Sequence, residues 1–301
     1  MYQPTVEGQT LRGAGRLTDY SNLVKLPHTV FALPFAVVGA ALASYRAPLE
    51  PVDLLWILLA FTSARFAAMG FNRIVDRSID AKNPRTRMRE IPSGKLSVRQ
   101  ATLAVAIASG IFIISAGMLN RFCLYLAPFA LAWIFFYSFT KHFTRWAHLV
   151  LGFSLAIAPV GAYLAVTGRW SEPAGALLAL AGGVLGWVAG FDILYSLQDV
   201  EFDRAEGLHS VPAAFGQRRA IGISRALHAI SAGLFLGVGF LFPELGPLYF
   251  AGVALIAIML VYEQSLVKPD DLSRIDAAFF NINGAISLLF MAIVVVERLI
   301  S

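Results

Sequence analysis

Apolar stretches of about 20 residues, the length that spans a bilayer as a helix, alternate with short polar segments along the whole chain. They lie near 26–45, 52–75, 101–119, 122–140, 147–167, 173–198, 219–241, 246–263 and 277–297. The pattern predicts an all-α polytopic membrane protein, nine transmembrane helices around a central cavity, in a single domain over 1–301. The break between the third and fourth spans rests on Asn120 and Arg121, the polar pair that interrupts 101–140. Residues 1–24 are polar and read as a cytoplasmic tail without the apolar core of a cleaved signal peptide. Two connections, 79–98 and 203–217, are long for a compact bundle, and loops of that length are usually functional. They are expected to form cytoplasmic lids over the cavity mouth.

Composition narrows the setting. The chain is 57% hydrophobic and 14% charged, with mean hydropathy +0.68, whereas a soluble domain carries about 25% charged residues. One cysteine, Cys123, excludes an internal disulfide. With the N-terminus inside, 19 of the 24 basic residues fall in cytoplasmic segments, as the positive-inside rule requires. The exceptions are Arg46, Arg121, Arg169 and Arg298 outside and Arg65 within a span. A net charge of +5 is met by inside loops and anionic substrates, so no nucleic acid is implied.

The chemistry sits at the cytoplasmic helix ends. Asn72, Asp76 and Asp80 are spaced by four, and Asp192, Asp199 and Asp203 by seven and four. On an α-helix both spacings return to one face, so each motif predicts a stripe of oxygens about two turns tall. Asp76 and Asp80 recur as Asp199 and Asp203 at an offset of 123 residues, which suggests two half-sites facing one cavity. Five carboxylates and an amide in so apolar a chain are costly unless cations neutralise them. Hard oxygen ligands suit Mg²⁺, which commonly bridges carboxylates to a substrate phosphate. Arg65 lies seven residues before Asn72, about 10 Å deeper on the same stripe. It is expected to meet an acceptor carboxylate or the aspartates, the structural alternative being an ion pair with Asp192 or a helix-end carbonyl. Tyr195 shares a face with Asp192 and Asp199, where its ring could stabilise a cation.

The segments NRIVDRSID, RTRMREIPSGKLS, YSFTK and DILYSLQDVEFDRAEGLHS, in this order, resemble the UbiA superfamily of intramembrane aromatic prenyltransferases, nearest to 4-hydroxybenzoate polyprenyltransferases. The resemblance covers most of the chain. It implies a nine-helix horseshoe and Mg²⁺-dependent transfer of a polyprenyl group from polyprenyl diphosphate to an aromatic acid, 4-hydroxybenzoate or a dihydroxynaphthoate, in ubiquinone or menaquinone biosynthesis. Asn72, Asp76 and Asp80 match the first diphosphate–Mg²⁺ motif and Asp199 and Asp203 the second; Tyr137 and Lys141 match a Tyr-x-x-x-Lys element. The chain departs from the pattern at Asn72-Arg73, where many members have Asn-Asp, and at Arg89-Glu90, where Arg-Pro is usual.

Lys141 and Arg89 could contact phosphate oxygens directly, with Arg145 and Asp192 as further substrate-binding candidates, and Asp76, Asp199, Arg65 and Tyr195 are the catalytic candidates. Each has a plainer reading: positive-inside charge for Lys141 and Arg145, an interfacial belt for Tyr137. His28 and His148, at helix starts, read as caps or packing residues; His209 stays open. Pro92-Ser93-Gly94 reads as a turn, with Ser97 as a helix cap. Two other functions use similar features. A haem-modifying farnesyltransferase of the same superfamily would bind haem, and a cation-coupled transporter would hold its carboxylates near the bilayer midplane. The aspartates at the cytoplasmic helix ends favour a diphosphate delivered from the inner face of the cell (inner) membrane.

Overall fold

The computed structural model describes residues 11, 15–25, 29, 31–170 and 173–301. Their order is α1 (Arg16–Leu23), α2 (Leu33–Ala43), α3 (Pro51–Lys82), α4 (Val98–Leu119), α5 (Arg121–Thr140), α6 (Ala147–Thr167), α7 (Ala174–Tyr195), α8 (Val200–Ala205), α9 (Val211–Phe215), α10 (Gln217–Leu241), α11 (Pro247–Leu266) and α12 (Asn283–Ile300). Among these residues eight helices are long and apolar enough to cross a membrane. The protein is an all-α, multi-pass membrane protein. The first predicted span, 26–45, contributes only the 11-residue apolar helix α2; 26–28 and 30, His28 among them, lie outside the described residues. The predicted tail is not featureless, since α1 forms within it and buries Leu23.

Local chemistry sets the helix ends. Glu50 and Asp53 form a capping box at α3, with Pro51 in its first turn. At 32 residues α3 is about 48 Å long, well beyond the ~30 Å apolar core of a bilayer, and its C-terminal turns carry Asp76 and Asp80. Ser97 and Gln100 cap α4 reciprocally, as the Ser97 reading expects. Asn120 accepts from the Cys123 amide at the start of α5 and donates to the Leu164 and Ala165 carbonyls of α6. That is why the break falls there.

The core is built around α7, which packs against α6 and α10 and carries the fully buried Trp187. Phe35, Phe235, Tyr249 and Phe290 pack into the same cluster. The outer surface is apolar, with Phe129, Phe240 and Val261 exposed, as a lipid-facing surface should be. Helices in lipid associate through small residues that let backbones approach, and Gly39 does this: a Cβ there would overlap the Pro159 carbonyl of α6. Gly39→Leu is expected to lower the yield of monodisperse protein at least about fivefold by overpacking this contact. Size-exclusion chromatography of solubilised membranes checks it; a wild-type yield would contradict the close approach.

Candidate active site

The first aspartate motif occupies the last turns of α3. Asn72 Nδ2 donates to Asp76 Oδ2 at 3.1 Å, and Lys141 Nζ at the end of α5 reaches the same oxygen at 2.6 Å. Asp80 Oδ1 takes Arg89 Nη1 at 2.6 Å. Both aspartates are almost wholly buried, at 3% and 4% exposure. Asp76 Oδ1 and Asp80 Oδ2 are buried with no hydrogen-bond partner among the described residues. Two orphan carboxylate oxygens in a buried site call for a cation.

The second motif departs from the expected single stripe. The α-helix stops at Tyr195, residues Ser196–Asp199 form a 3₁₀ turn, and α8 follows. Ser196 Oγ donates to the Ile193 carbonyl and Gln198 Nε2 to that of Tyr195, side-chain competition of the kind that loosens an α-ladder. Four residues at three per turn add about 80° of rotation over an α-helix, so Asp192 and Asp199 part company. Asp192 instead meets His148 Nδ1 at 2.6 Å. His148 Nε2 accepts from the Val211 amide at 3.3 Å, so the ring proton sits on Nδ1 and is donated to Asp192. Asp203 accepts from Ser210 Oγ at 2.8 Å. The equal offset therefore does not make the motifs alike in backbone.

The segment after α3 joins the two. Arg85 grips Asp199 with both arms, Nε to Oδ1 at 3.0 Å and Nη2 to Oδ2 at 2.6 Å, and Asn83 Nδ2 adds a bond at 3.2 Å. Burial works against the Arg85 charge, but Asp199 more than offsets it and holds its pKa above the ordinary arginine value. Lys82 pairs with Glu206 at 2.6 Å, and the His209 amide donates to the Lys141 carbonyl at 2.7 Å. The predicted lids are shorter than drawn: α3 continues to Lys82, and 203–217 contains the end of α8 and all of α9.

Arg85 Nη1 also donates to the Tyr195 hydroxyl at 3.3 Å, and its guanidinium lies 5.4 Å from the ring centroid. Phe279 stacks on that ring at 4.1 Å. Tyr137 lies within electrostatic reach of Asp192 and Asp76. Two candidates are not brought to the aspartates. Arg145 is exposed and sits over Phe215. Arg65 donates to Thr29 Oγ1 at 3.1 Å and to the Lys25 carbonyl, just past α1, at 3.3 Å. Asn83 and Arg85 escaped the sequence reading, which gives His148 only as a cap or packing residue. The length of the loop marked the segment that holds Asn83 and Arg85, but a loop has no periodicity to say which of its basic residues turn inward. Among the described residues no group of three acidic, histidine or cysteine side chains is drawn together as metal ligands. The carboxylates are held by Lys141, Arg85, Arg89, His148 and Ser210, while the orphan oxygens and the hard-oxygen donor set fit a divalent cation.

The sequence profile of the UbiA prenyltransferase family matches residues 32–286. The chain belongs to that family. This UbiA-family enzyme is a prenyltransferase. An apo UbiA homolog from Aeropyrum pernix K1 is 35% identical and superposes with a TM-score of 0.81, covering 90% of this chain and 98% of its own. A homolog from Archaeoglobus fulgidus, bound to DMAPP and Mg²⁺, shares the fold at 21% identity and TM-score 0.73, covering 94% and 100%. The 4-hydroxybenzoate octaprenyltransferase of Nitrosospira multiformis is 29% identical over 282 residues, 93% of this chain and 95% of its own. That of Edwardsiella ictaluri is 30% identical over 243 residues, 79% and 82%.

Proposed function

We propose that this UbiA-family prenyltransferase moves a polyprenyl group from its diphosphate to an aromatic acid, 4-hydroxybenzoate or a related hydroxylated naphthoate, in quinone biosynthesis. One observation carries the proposal: two aspartate motifs are linked through Asn83 and Arg85, and the first leaves two buried carboxylate oxygens without a hydrogen-bond partner among the described residues, beside three basic side chains. Relatives named 4-hydroxybenzoate octaprenyltransferase support the acceptor class. The A. fulgidus homolog, with DMAPP and Mg²⁺ bound, supports Mg²⁺ as the cation.

Asn72, Asp76 and Asp80 with Asp199 and Asp203 would hold Mg²⁺. Bound there, it supplies Lewis-acid stabilisation of the charge on the leaving diphosphate. Arg85, Arg89 and Lys141 exchange carboxylate partners for phosphate oxygens, Arg85 and Arg89 as planar forks and Lys141 as a point charge. The carbon–oxygen bond to the diphosphate breaks with both electrons leaving on oxygen. The allylic cation is sheltered against Tyr195, whose ring face favours positive charge, and the electron-rich acceptor ring attacks it and loses a proton. The bias of basic residues orients this end of the bundle to the cytoplasm of a cell (inner) membrane.

Among the described residues Arg65 meets a hydroxyl and a carbonyl but no carboxylate, which suits its charge to the acceptor's carboxylate. Arg65→Lys, which loses the bidentate fork, is expected to raise the Michaelis constant for the aromatic acid about tenfold and leave that for the diphosphate nearly unchanged. An unchanged acceptor constant would confine Arg65 to tying the α1 end to α3. The function itself is tested by incubating membranes with Mg²⁺, a radiolabelled polyprenyl diphosphate and either 4-hydroxybenzoate or a dihydroxynaphthoate. Label on one of the two acids is expected; label on neither would overturn the acceptor class.

A further inference from the structure

Behind the aromatic wall lies a buried polar cluster with no part in the chemistry so far. Glu263 of α11 is fully buried. Its Oε1 accepts from Asn283 Nδ2 at 2.8 Å, and its Oε2 has no hydrogen-bond partner. No cation faces it among the described residues. His228 Nδ1 is 3.8 Å away, but that nitrogen accepts from Gln264 at 3.0 Å while Nε2 donates to the Trp187 carbonyl at 3.2 Å, so the ring is neutral. An acidic residue so placed in a membrane helix is expensive and marks function.

What Glu263 holds is Asn283. The Asn283 amide is orientated without ambiguity, because the Trp187 indole can only donate and reaches Oδ1 at 2.7 Å. Nδ2 therefore faces Glu263 and, at 3.1 and 3.2 Å, the carbonyls of Ala278 and Phe279. Those carbonyls belong to a π-helical turn, Ala277–Ile282, a deformation common at functional sites. The same turn projects Phe279 onto the Tyr195 ring and, at 5.3 Å, onto Phe191.

We propose that Glu263 and Asn283 are positioning residues: the anchored Asn283 amide props the π-turn and so sets Phe279 as the wall that keeps water from the allylic cation. The inference rests on diphosphate ionisation at the proposed site. Where the wall slackens, water replaces the acceptor ring. The carbon–oxygen bond to diphosphate breaks as before, water adds to the allylic carbon and loses a proton, and a free prenyl alcohol leaves beside the diphosphate.

The test measures partition rather than rate. Solubilised full-length enzyme, Mg²⁺ and geranyl diphosphate are incubated with and without 4-hydroxybenzoate and a dihydroxynaphthoate, and geraniol and prenylated aromatic are quantified by mass spectrometry. Asn283→Leu and Glu263→Ala are expected to raise the alcohol-to-aromatic ratio at least about fivefold, and alcohol release without acceptor should rise with it. Glu263→Gln, which keeps an acceptor for Asn283, should restore the ratio to within about twofold of wild type. Phe279→Leu should reproduce the shift with the cluster intact. Should Asn283→Leu fail to fold, the Glu263 pair and Phe279→Leu decide. A ratio fixed at the wild-type value, whatever the total rate, overturns the inference and reduces the cluster to packing. Wild type that neither transfers nor hydrolyses geranyl diphosphate contradicts ionisation and this inference together, whereas transfer with an unmoved ratio contradicts this inference alone.

Discussion

Asp76→Ala and Asp199→Ala each lower prenyl transfer at least about a hundredfold, the loss expected when a group that stabilises developing charge is removed. The two sites fail for the same reason from opposite sides. Asp76 is buried with one oxygen shared by Asn72 and Lys141 and the other without a hydrogen-bond partner among the described residues, so the alanine variant loses that ligand oxygen and the anchor of Lys141. Asp199 is held by Arg85 and Asn83, and its loss takes the carboxylate from a guanidinium whose side chain is 8% exposed. Losing that carboxylate lowers stability, so Asp199→Asn, which retains hydrogen-bonding shape, is the companion. It should accumulate in membranes like wild type and still lose activity. Initial rates at saturating substrates, normalised to protein by immunoblot, decide; a rate within tenfold of wild type for either motif would remove it from the site.

Metal dependence is the second large effect. Chelation with EDTA is expected to abolish transfer and added Mg²⁺ to restore it, because three basic side chains alone cannot neutralise a diphosphate beside five aspartates. The ion pairs add a sharper expectation. Lys141, Arg89 and Arg85 already occupy Asp76, Asp80 and Asp199 at 2.6 Å each, so a cation arriving alone competes with them. When a diphosphate arrives with it, the displaced side chains gain phosphate oxygens as partners. Mn²⁺ affinity, read by electron paramagnetic resonance, should therefore tighten at least about tenfold when geranyl diphosphate is present, a coupling of about 1.4 kcal/mol. Equal affinity with and without diphosphate would mean that the basic side chains stay on the aspartates throughout.

How far the sequence could be read follows from the range of each interaction. The long spans were legible because burial in lipid demands a fixed apolar length, and the Asn120 break and the Ser97 cap because a polar side chain answers a local backbone need. The shortening of α2 was not, since apolar composition cannot separate a full span from a short helix pressed by Gly39 onto Pro159. The stripe Asn72–Asp76–Asp80 was legible from helical spacing alone. Asp192–Asp199–Asp203 misled, because the 3₁₀ turn between them arises from Ser196 and Gln198 bonding the backbone, an outcome that period counting does not register. His148 reads as a cap in the sequence because its partner lies 44 residues away. Arg65 was found by its depth, but its contacts depend on how α1 meets α3.

The most direct test of the account follows both halves of the reaction at once, diphosphate released and prenylated aromatic formed, for wild type and for Asp76→Asn with Asp199→Asn together. The wild type should release one diphosphate per new carbon–carbon bond to the acceptor ring, strictly with Mg²⁺, and the double variant should do neither. Labelled prenyl diphosphate that crosses or binds the membrane without releasing diphosphate, or a double variant that still forms the aromatic product, would contradict it.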